Sequence, residues 1–487
     1  MNIRNNILDD NMSKIQTIFK NMSWLLISQI IASVCGFVWT ILMARYLGVD
    51  NYGILGFAIS ITGILGIIDD LGISTHIIRH ISTDYESAPK YLGNAIPLKV
   101  IFSGVKLILT FIILLLLNVN QFTIYITLLF SIEMILISYI NTIYGTFQAF
   151  EKGKYQGICI TLMNSMTLIF ILISIYADLG LEGITFSYIL ANLINLIYVY
   201  SILNKHIVKP KYEFDWDFCK KVTLASIPFA VTGILYTIYY SIDIIMLTNM
   251  IGDYATGIYN ATYKLISVLT LFYSVYTAVI FPVMSRLFKN DKKLLIISYE
   301  KSIKYLMLII IPIAIGTMLY SSDIIQLIYG HAYNQAASVL SILIWTVCLL
   351  FLSGASNTLL NASHKEVTVT KIYAIAAVFN VVLNFVMIPH FSYNGAAITT
   401  VLSDVLIVGL QTYVIYKLGH RPNKKLYSDL IKIIIGSAVL GIALYFLNLN
   451  MWVGLVVGII IYFAVITLLK FFDDDDKYVI REVLGRN

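Results

Sequence analysis

The chain has 487 residues, of which 59% are hydrophobic and only 12% are charged, and its mean hydropathy is +0.83. Because soluble domains carry about 25% charged residues, this composition excludes a soluble enzyme or binding module and predicts an all-α polytopic membrane protein. The net charge of +6 does not indicate a nucleic acid partner, since nucleic acid-binding proteins concentrate basic residues on a soluble face.

Fourteen apolar runs are long enough to cross a membrane as helices. A helix needs about 20 apolar residues to span roughly 30 Å of hydrocarbon. In chain order, the predicted spans are 21–47, 52–78, 93–117, 122–148, 155–177, 182–203, 222–248, 255–285, 303–320, 335–360, 367–388, 394–416, 427–447 and 452–471.

Lysine and arginine residues indicate the orientation of these spans. All but three of the 33 lie in the two tails, in even-numbered loops or at the adjoining helix ends. Since basic residues accumulate on the cytoplasmic side, we expect both termini to be cytoplasmic and the protein to lie in the cell membrane. The exceptions are Arg45, Lys106 and Lys264. The first apolar run is too long for a cleaved signal peptide, so we expect it to remain as a helix.

The two halves of the chain contain similar segments, as in transporters built from repeated helix bundles. RYLGVDNYGILGFA, between spans one and two, resembles NMIGDYATGIYNAT, between spans seven and eight: each has a glycine, an aspartate and a second glycine before a helix. An even number of spans separates the matching segments, so we predict two parallel six-helix lobes with a polar cavity between them. The predicted divisions are an N-terminal tail (1–20), the first lobe (21–203), a cytoplasmic linker (204–221), the second lobe (222–416), two extra helices (417–471) and a cytoplasmic C-terminal tail (472–487).

Three stretches resemble a known family. They are WLLISQIIASVCGFVWTILMARYLGVDNYGILGFAISI, IDDLGISTHIIRHIS and IPFAVTGILYTIYYSIDIIMLTNMIG. They are similar to the polysaccharide transporter family of Wzx-type O-antigen flippases, which belongs to the MOP superfamily together with MATE exporters and lipid II flippases. The resemblance implies two lobes in a V around a hydrated cavity. It also implies a polyprenyl-linked oligosaccharide substrate that moves from the cytoplasmic to the outer leaflet.

Polar residues near the ends of the first two spans are the first site candidates. Arg45 lies near the outer end of span one, against the positive-inside pattern, so we expect it to contact an outer gate or the cavity. Asp69, His76 and His80 share a narrow helical arc, with Arg79 adjacent. Asp69 lies about 10 Å along the helix axis from His76, too far for shared metal ligation. We therefore expect a polar stripe near the substrate entrance and no metal site.

Basic residues just after the second span and within the third span are candidates for binding an anionic group. Arg79, Lys99 and Lys106 are placed to contact the pyrophosphate that the resemblance implies, because arginine and lysine commonly bind such groups. The alternative is that they only anchor the helices on the cytoplasmic side.

Two acidic residues lie deep inside predicted spans. Glu133 is midway along LLFSIEMILISYI, and its short side chain does not reach the interface as a lysine would. We expect it to line the cavity or contact a neighbouring helix, either in a static hydrogen bond or as a titrating group of a proton-coupled cycle. Asp404, in span twelve, is a similar case in the second half, and its counterpart in the repeat is Asn192, which is polar but uncharged.

The hairpin of spans seven and eight carries a second group of candidates. Asp243 and Lys264 lie at comparable depths on its two arms, so one interpretation is a salt bridge that joins them. The other is that Asp243 lines the cavity, with Tyr236 and Tyr239 on the same helical face. Tyrosine rings beside a carboxylate suit a sugar-binding surface.

The sequence contains no Walker-type phosphate loop and no nucleophile–base pair, so we expect a transporter and not an enzyme. The four cysteines form neither a disulfide framework nor a CxxC metal pair. We expect no cofactor, although an H⁺ or Na⁺ gradient is a candidate driving force.

The function that we predict is flipping of a polyprenyl-linked oligosaccharide by alternating access. The expected partners are this glycan, the lipid bilayer and the glycosyltransferases or polymerase of the same pathway. Two alternatives remain. A MATE-like cation-coupled drug exporter would have a carboxylate-dominated cavity, whereas a scaffold of a glycan assembly complex would tolerate neutralisation of Asp243, Glu133 and Lys264 together.

Overall fold

A computed structural model describes residues 2–472 of the chain. The predicted C-terminal tail, 472–487, therefore lies outside the described residues except for Phe472. Only the backbone is described for residues 2–20 and for a few single positions. These positions are Met22, Phe229, Val231, Thr232, Tyr236, Leu271 and Ser274.

The described part of the chain is helical and contains no strand, which confirms the all-α polytopic class. The helices are α1 (Asn2–Leu65), α2 (Ile67–Asp70), α3 (Ile73–Ile81), α4 (Ala88–Leu116), α5 (Gln121–Ala149), α6 (Gly153–Tyr176), α7 (Gly180–His206), α8 (Trp216–Met250), α9 (Asp253–Ser267), α10 (Thr270–Asn290), α11 (Lys292–Leu319), α12 (Ser321–Tyr329), α13 (Ala336–Ala362), α14 (Glu366–Lys417), α15 (Lys424–Leu447) and α16 (Met451–Leu468).

Within the described residues, 10 helices are long and apolar enough to cross a membrane, or 11 if the bent α8 counts as one span. The fourteen predicted spans exceed this number because some helices are continuous across a kink. Helix α1 covers the first predicted span and the beginning of the second, and it is kinked at Gly48 (φ 71°). Helix α14 covers two predicted spans and is kinked at Ser392 (φ 51°). Helices α9 and α10 share the predicted span 255–285.

The chain forms two compact units, Met1–Asn260 and Ala261–Asn487. The boundary falls within α9, and α8 belongs to the first unit, where it packs against α1 and α3. The sequence repeats had instead assigned residues 222–248 to the second lobe. The two lobes were predicted from internal sequence similarity, whereas the two units are defined by packing. The division into lobes therefore stays a prediction.

In the first unit, α3, α4 and α8 meet in an apolar cluster that holds the end of the second predicted span. Ile73 and Ile77 of α3 are fully buried there against Leu98 of α4 and Cys219 of α8. In the second unit, α11 packs against α13 and α15, and the Tyr462 hydroxyl of α16 donates to the backbone oxygen of Leu308 at 2.8 Å. Each unit thus has its own core.

Candidate functional site

The second predicted span is broken in the structure, and the break brings charged residues together. Helix α1 ends at Leu65, and the short helix α2 is separated from α3 by Leu71 and Gly72. Both residues adopt left-handed conformations, with φ of 43° and 78°. Such a turn suits glycine but is unusual for leucine. Irregular backbone inside a membrane requires polar partners from the protein or from a water-filled cavity.

The deepest contact at this break joins α2 to α4. Lys106 Nζ lies 2.9 Å from Asp69 Oδ2, and both side chains are 0% exposed. The same ammonium group donates to the backbone oxygen of Ser131 at 2.7 Å. Asp69 Oδ1 is buried and has no hydrogen-bond partner among the described residues. The hydrogen-bonding capacity of Lys106 is therefore used more completely than that of Asp69.

A second pair lies beside the first. Lys99 Nζ is 2.6 Å from Asp70 Oδ1; the lysine side chain is 0% exposed and the aspartate side chain 27%. Lys99 also donates to the backbone oxygen and the hydroxyl of Ser138, at 2.9 and 2.8 Å. The Ser138 hydroxyl in turn donates to the backbone oxygen of Asp69 at 3.2 Å. Helix α5 thus supplies a hydrogen-bond donor to a backbone oxygen next to the break.

Glu133 of α5 completes this arrangement. Its Oε1 accepts a hydrogen bond of 3.0 Å from Asn192 Nδ2 of α7, and Lys106 is close enough for its charge to attract the carboxylate. We call Asp69, Asp70, Lys99, Lys106 and Glu133 the charged cluster. It contains three carboxyl and two ammonium groups, so it carries a formal charge of −1 when every group is ionised.

The structure separates the three basic residues that were predicted to contact an anionic group. Lys99 and Lys106 lie in the charged cluster, and each is paired with an aspartate. Arg79 is exposed on α3, outside those pairs. Arg45 is exposed near the kink of α1. The contacts of these residues with substrate remain predictions.

The rings of the two histidines of the predicted polar stripe contact each other at an angle of 37°. The ring centroids of His76 and His80 are 4.2 Å apart, and Tyr91 of α4 lies 5.8 Å from the ring of His80. No group of three or more His, Cys, Asp or Glu side chains with metal-binding geometry occurs in the part of the chain that the structure describes.

Asp243 is buried in α8 and accepts a hydrogen bond of 2.8 Å from the Tyr259 hydroxyl of α9. Tyr239 is buried one turn earlier, with its ring edge-to-face on Tyr240. The side chain of Tyr236 lies outside the described part. Lys264 belongs to the second unit, so its pairing with Asp243 stays a prediction, as does the cavity-lining role of this group.

The polar centre of the second unit consists mainly of amide and hydroxyl groups. Gln411 Nε2 donates to Asn357 Oδ1 at 2.8 Å, and Asn357 Nδ2 donates to the Tyr373 hydroxyl at 2.9 Å. Asp404, half-buried, is close enough to Tyr373 for an electrostatic interaction. Its repeat counterpart Asn192 bonds a carboxylate in the first unit. The two equivalent positions are thus both polar but have different neighbours.

Sequence reasoning missed Asp70 and a third buried pair. Lys304 of α11 lies 3.0 Å from Asp429 of α15, with side-chain exposures of 3% and 6%. Lys304 had been assigned to the cytoplasmic end of its helix as an orientation signal. The one available clue was that Asp429 lies inside the predicted span 427–447.

Comparison with known proteins gives two family matches. The model of the polysaccharide biosynthesis protein family matches residues 18–288, and the model of the lipid II flippase MurJ matches residues 242–465.

Curated relatives match along most of their length. The capsular polysaccharide biosynthesis protein CapF of Staphylococcus aureus is 24% identical over 412 residues, which cover 82% of this chain and 99% of that protein. The probable low-salt glycan biosynthesis flippase Agl15 of Haloferax volcanii is 23% identical over 465 residues, with coverages of 91% and 94%. A putative O-antigen transporter of Shigella flexneri is 22% identical, with coverages of 80% and 97%.

Solved structures share the fold. The lipid II flippase MurJ in an inward closed conformation matches with a TM-score of 0.77 at 16% identity, covering 91% of this chain and 97% of that one. A multidrug resistance MATE family transporter of the MOP superfamily, in an inward-facing conformation, matches with a TM-score of 0.64 at 14% identity, with coverages of 80% and 95%. At these sequence identities, the structural similarity shows that the fold is shared and does not identify the substrate.

Proposed function

The chain belongs to the polysaccharide biosynthesis protein family, and we propose that it is a flippase that moves a lipid-linked oligosaccharide across the cell membrane. It is a multi-pass membrane transporter and not an enzyme. Relatives described as a glycan biosynthesis flippase and as an O-antigen transporter match over most of the chain and support this substrate class.

The structural observation that carries the proposal is the charged cluster at the broken second span. A charge at the centre of a bilayer costs roughly 2.5–3.5 kcal/mol even on insertion scales. Five ionisable groups inside one helix bundle therefore carry a large free-energy cost of burial. Broken helices whose polar groups face inward are where transporters bind polar substrates and ions.

The chemistry of a lipid-linked oligosaccharide fits a path of this kind. Its sugar hydroxyls and pyrophosphate cannot cross hydrocarbon unassisted, because each unsatisfied polar group costs several kcal/mol there. Its polyprenyl chain is apolar and remains in lipid. The protein therefore has to shield only the head group, and it does so by opening alternately to the cytoplasmic and the outer side.

We assign the pyrophosphate contacts to Arg79, which is exposed, and to Lys99, whose partner Asp70 is partly exposed. The partner of Lys106, Asp69, is fully buried, so Lys106 would exchange this contact only after a rearrangement of α2. Glu133 has no lysine of its own in the cluster, so it is our candidate for the group that binds H⁺ or Na⁺ in a coupled cycle. Both termini would be cytoplasmic, next to the glycosyltransferases or polymerase that act on the same glycan.

Depletion of the protein in its own cells tests the proposal. The measured quantity is lipid-linked oligosaccharide, resolved by leaflet and compared with undepleted cells. We expect accumulation on the cytoplasmic side, and the trapped material would identify the glycan. Unchanged leaflet distributions combined with new sensitivity to cationic compounds would instead indicate a drug exporter. Such an exporter would have to tolerate the basic residues Arg45, Lys106 and Lys264 near its path.

A further inference from the structure

The segment that joins α7 to α8 is attached to the side of α4. This connecting segment covers residues 207–215 and is not helical after its first residue. The backbone N–H of Lys211 donates to the backbone oxygen of Pro89 at 2.9 Å. The backbone N–H of Asp215 donates to Asn94 Oδ1 at 2.7 Å. Both ends of the stretch 211–215 are thus fixed to the first turns of α4.

The depth of the connecting segment follows from these contacts. A Cβ atom at Gly93 would overlap the backbone oxygen of Lys211, so only glycine permits this close approach. Gly93 lies five residues after the start of α4, about 8 Å along its axis. On α7, the hydroxyl groups of Tyr200 and Tyr212 are hydrogen-bonded to each other. Tyr200 lies six residues, about 9 Å, before the end of its helix.

This depth corresponds to the headgroup region of a bilayer. Helix α7 has 27 residues and is therefore about 40 Å long. The hydrocarbon core is roughly 30 Å thick, and the bilayer with its headgroups measures roughly 40–45 Å. A helix of this length, centred in the bilayer, extends about 5 Å into the headgroups at each end. The connecting segment therefore runs close to the boundary between headgroups and hydrocarbon.

Three aromatic side chains project from the protein at this depth. Tyr212, Phe214 and Trp216 are 57%, 50% and 59% exposed, and the ring centroids of Phe214 and Trp216 are 6.1 Å apart. We call these three residues the aromatic ridge. Exposed apolar patches mark contacts with a partner or a membrane. Tyrosine and tryptophan are enriched at the membrane interface, because one end of each side chain is apolar and the other is polar.

Basic side chains flank the aromatic ridge on both sides. Four lysines are exposed there, namely Lys205, Lys209, Lys220 and Lys221. The acidic side chains of the connecting segment have lysine partners: Glu213 pairs with Lys211 at 2.9 Å and Asp215 with Lys90 at 3.3 Å. Residues 205–221 contain five lysines and three acidic residues, so their formal charge is +2. An orientation signal requires this charge but does not require exposed aromatic rings beside it.

We propose that residues 205–221 form a binding site for anionic phospholipid at the membrane surface. The aromatic ridge inserts among the headgroups, and the flanking lysines bind the lipid phosphates, since basic clusters next to a membrane-spanning helix attract anionic lipids. The distribution of basic residues predicts that this leaflet is the cytoplasmic one. The inference concerns the lipid that surrounds the protein, so it does not depend on which molecule is transported.

Fluorescence quenching of Trp216 by brominated lipid tests the site in the full-length protein. Trp24→Phe, Trp39→Phe, Trp345→Phe and Trp452→Phe together leave Trp216 as the one tryptophan of the sequence. Phosphatidylcholine vesicles receive the same small fraction of brominated phosphatidylglycerol or brominated phosphatidylcholine, with bromine on the same acyl carbon. We expect the anionic lipid to quench Trp216 at least twofold more strongly. High salt should reduce this excess, because it screens the attraction between lysine and phosphate.

Trp452 provides the matched control. It is 65% exposed at the start of α16, and the sequence has no lysine or arginine between residues 433 and 469. A protein that keeps only Trp452 should be quenched equally by the two lipids. Lys209→Gln with Lys220→Gln should lower the excess quenching at Trp216, because the aromatic ridge stays while the charge is reduced.

Two results would overturn the proposal. Equal quenching of Trp216 by both lipids would show that the site does not select anionic lipid. No quenching by either lipid would show that the aromatic ridge faces water, where it would fit a soluble partner. If the fourfold variant does not fold, the excess quenching that is lost between the wild type and Trp216→Phe measures the same contact.

Gly93→Ala tests whether the contact with α4 determines the depth of the aromatic ridge. The added Cβ would overlap the backbone oxygen of Lys211 and displace the connecting segment, so the excess quenching at Trp216 should fall several-fold. Gly104→Ala in the same helix, where an added Cβ meets no atom within 4 Å, should leave the excess unchanged. An equal excess in both variants would contradict the placement of the aromatic ridge by α4.

Discussion

The ammonium group of Lys106 and the carboxylate of Asp69 form an ion pair of 2.9 Å in which both side chains are 0% exposed. They come from helices α4 and α2, and the aspartate lies at the break of the second predicted span. A buried pair of this kind contributes little net stability, but the loss of one partner leaves an uncompensated buried charge. The pair therefore fixes the broken segment against α4.

The first prediction concerns this pair. Lys106→Met leaves Asp69 buried without its counter-charge and should destabilise the protein by about 3–5 kcal/mol. The double variant Lys106→Met with Asp69→Leu should recover most of that loss, because it removes both charges. Thermal unfolding of the purified protein in detergent measures both. A double variant as unstable as the single one would show that the pair is not the source of the loss.

The neighbouring pair is the matched control. Lys99→Met leaves Asp70, whose side chain is 27% exposed, so water can solvate part of the remaining charge. The drop in melting temperature should be smaller than for Lys106→Met. An equal or larger drop would mean that exposure does not determine the cost.

Glu133→Gln should lower flipping at least tenfold and leave the melting temperature nearly unchanged. The glutamine keeps a carbonyl oxygen in the position that accepts the hydrogen bond from Asn192, but it removes the charge that we assign to ion coupling. Asn192→Ala is the control, since it removes the hydrogen bond and keeps the carboxylate. Normal flipping by Glu133→Gln, under an imposed H⁺ or Na⁺ gradient, would exclude Glu133 as the coupling group.

Charge reversal tests the predicted relation between Asp243 and Lys264. Asp243→Lys should abolish flipping, because it places a cation against the Tyr259 hydroxyl in a buried position. Adding Lys264→Asp should restore flipping if the two residues form only a salt bridge. Failure of the double variant, with the protein still folded, would favour direct contact of Asp243 with the cavity. Tyr259→Phe controls for the loss of the tyrosine hydrogen bond alone.

Gly354→Ala in α13 should destabilise the second unit by about 1–3 kcal/mol, because the added methyl group would overlap the ring of Tyr273. Gly316→Ala in α11 meets no atom within 4 Å and should be neutral or slightly stabilising, since alanine favours a helix over glycine. Melting temperatures in detergent compare the two. Similar values would show that the Tyr273 ring moves aside freely.

Much of the fold was predictable from the sequence, because hydrocarbon thickness fixes how long an apolar run must be to span it. The helix count was less predictable. A glycine between two apolar runs predicts a loop between two helices. In the structure, the helix continues through Gly48 with a kink, and the local sequence does not distinguish these two arrangements. The break at Leu71 and Gly72 falls within the predicted span 52–78, although two aspartates precede it.

The site was predictable only in part. Lys106 was singled out because it is an exception to the positive-inside pattern and a candidate for binding an anionic group, but its partner Asp69 is determined by how α2 packs on α4. Asp70 was missed since an adjacent aspartate in the same run adds no separate signal. Pairings between distant positions depend on tertiary packing, which a single sequence does not display.

Flipping by the purified protein in vesicles tests the central claim most directly. Lipid-linked oligosaccharide recovered from depleted cells is reconstituted with or without the full-length protein, and a glycosidase added outside reports the accessible fraction. The account predicts that the protein raises this fraction above that of protein-free vesicles by exposing oligosaccharide from the inner leaflet. An accessible fraction equal to that of protein-free vesicles, with the protein folded and inserted, would contradict it.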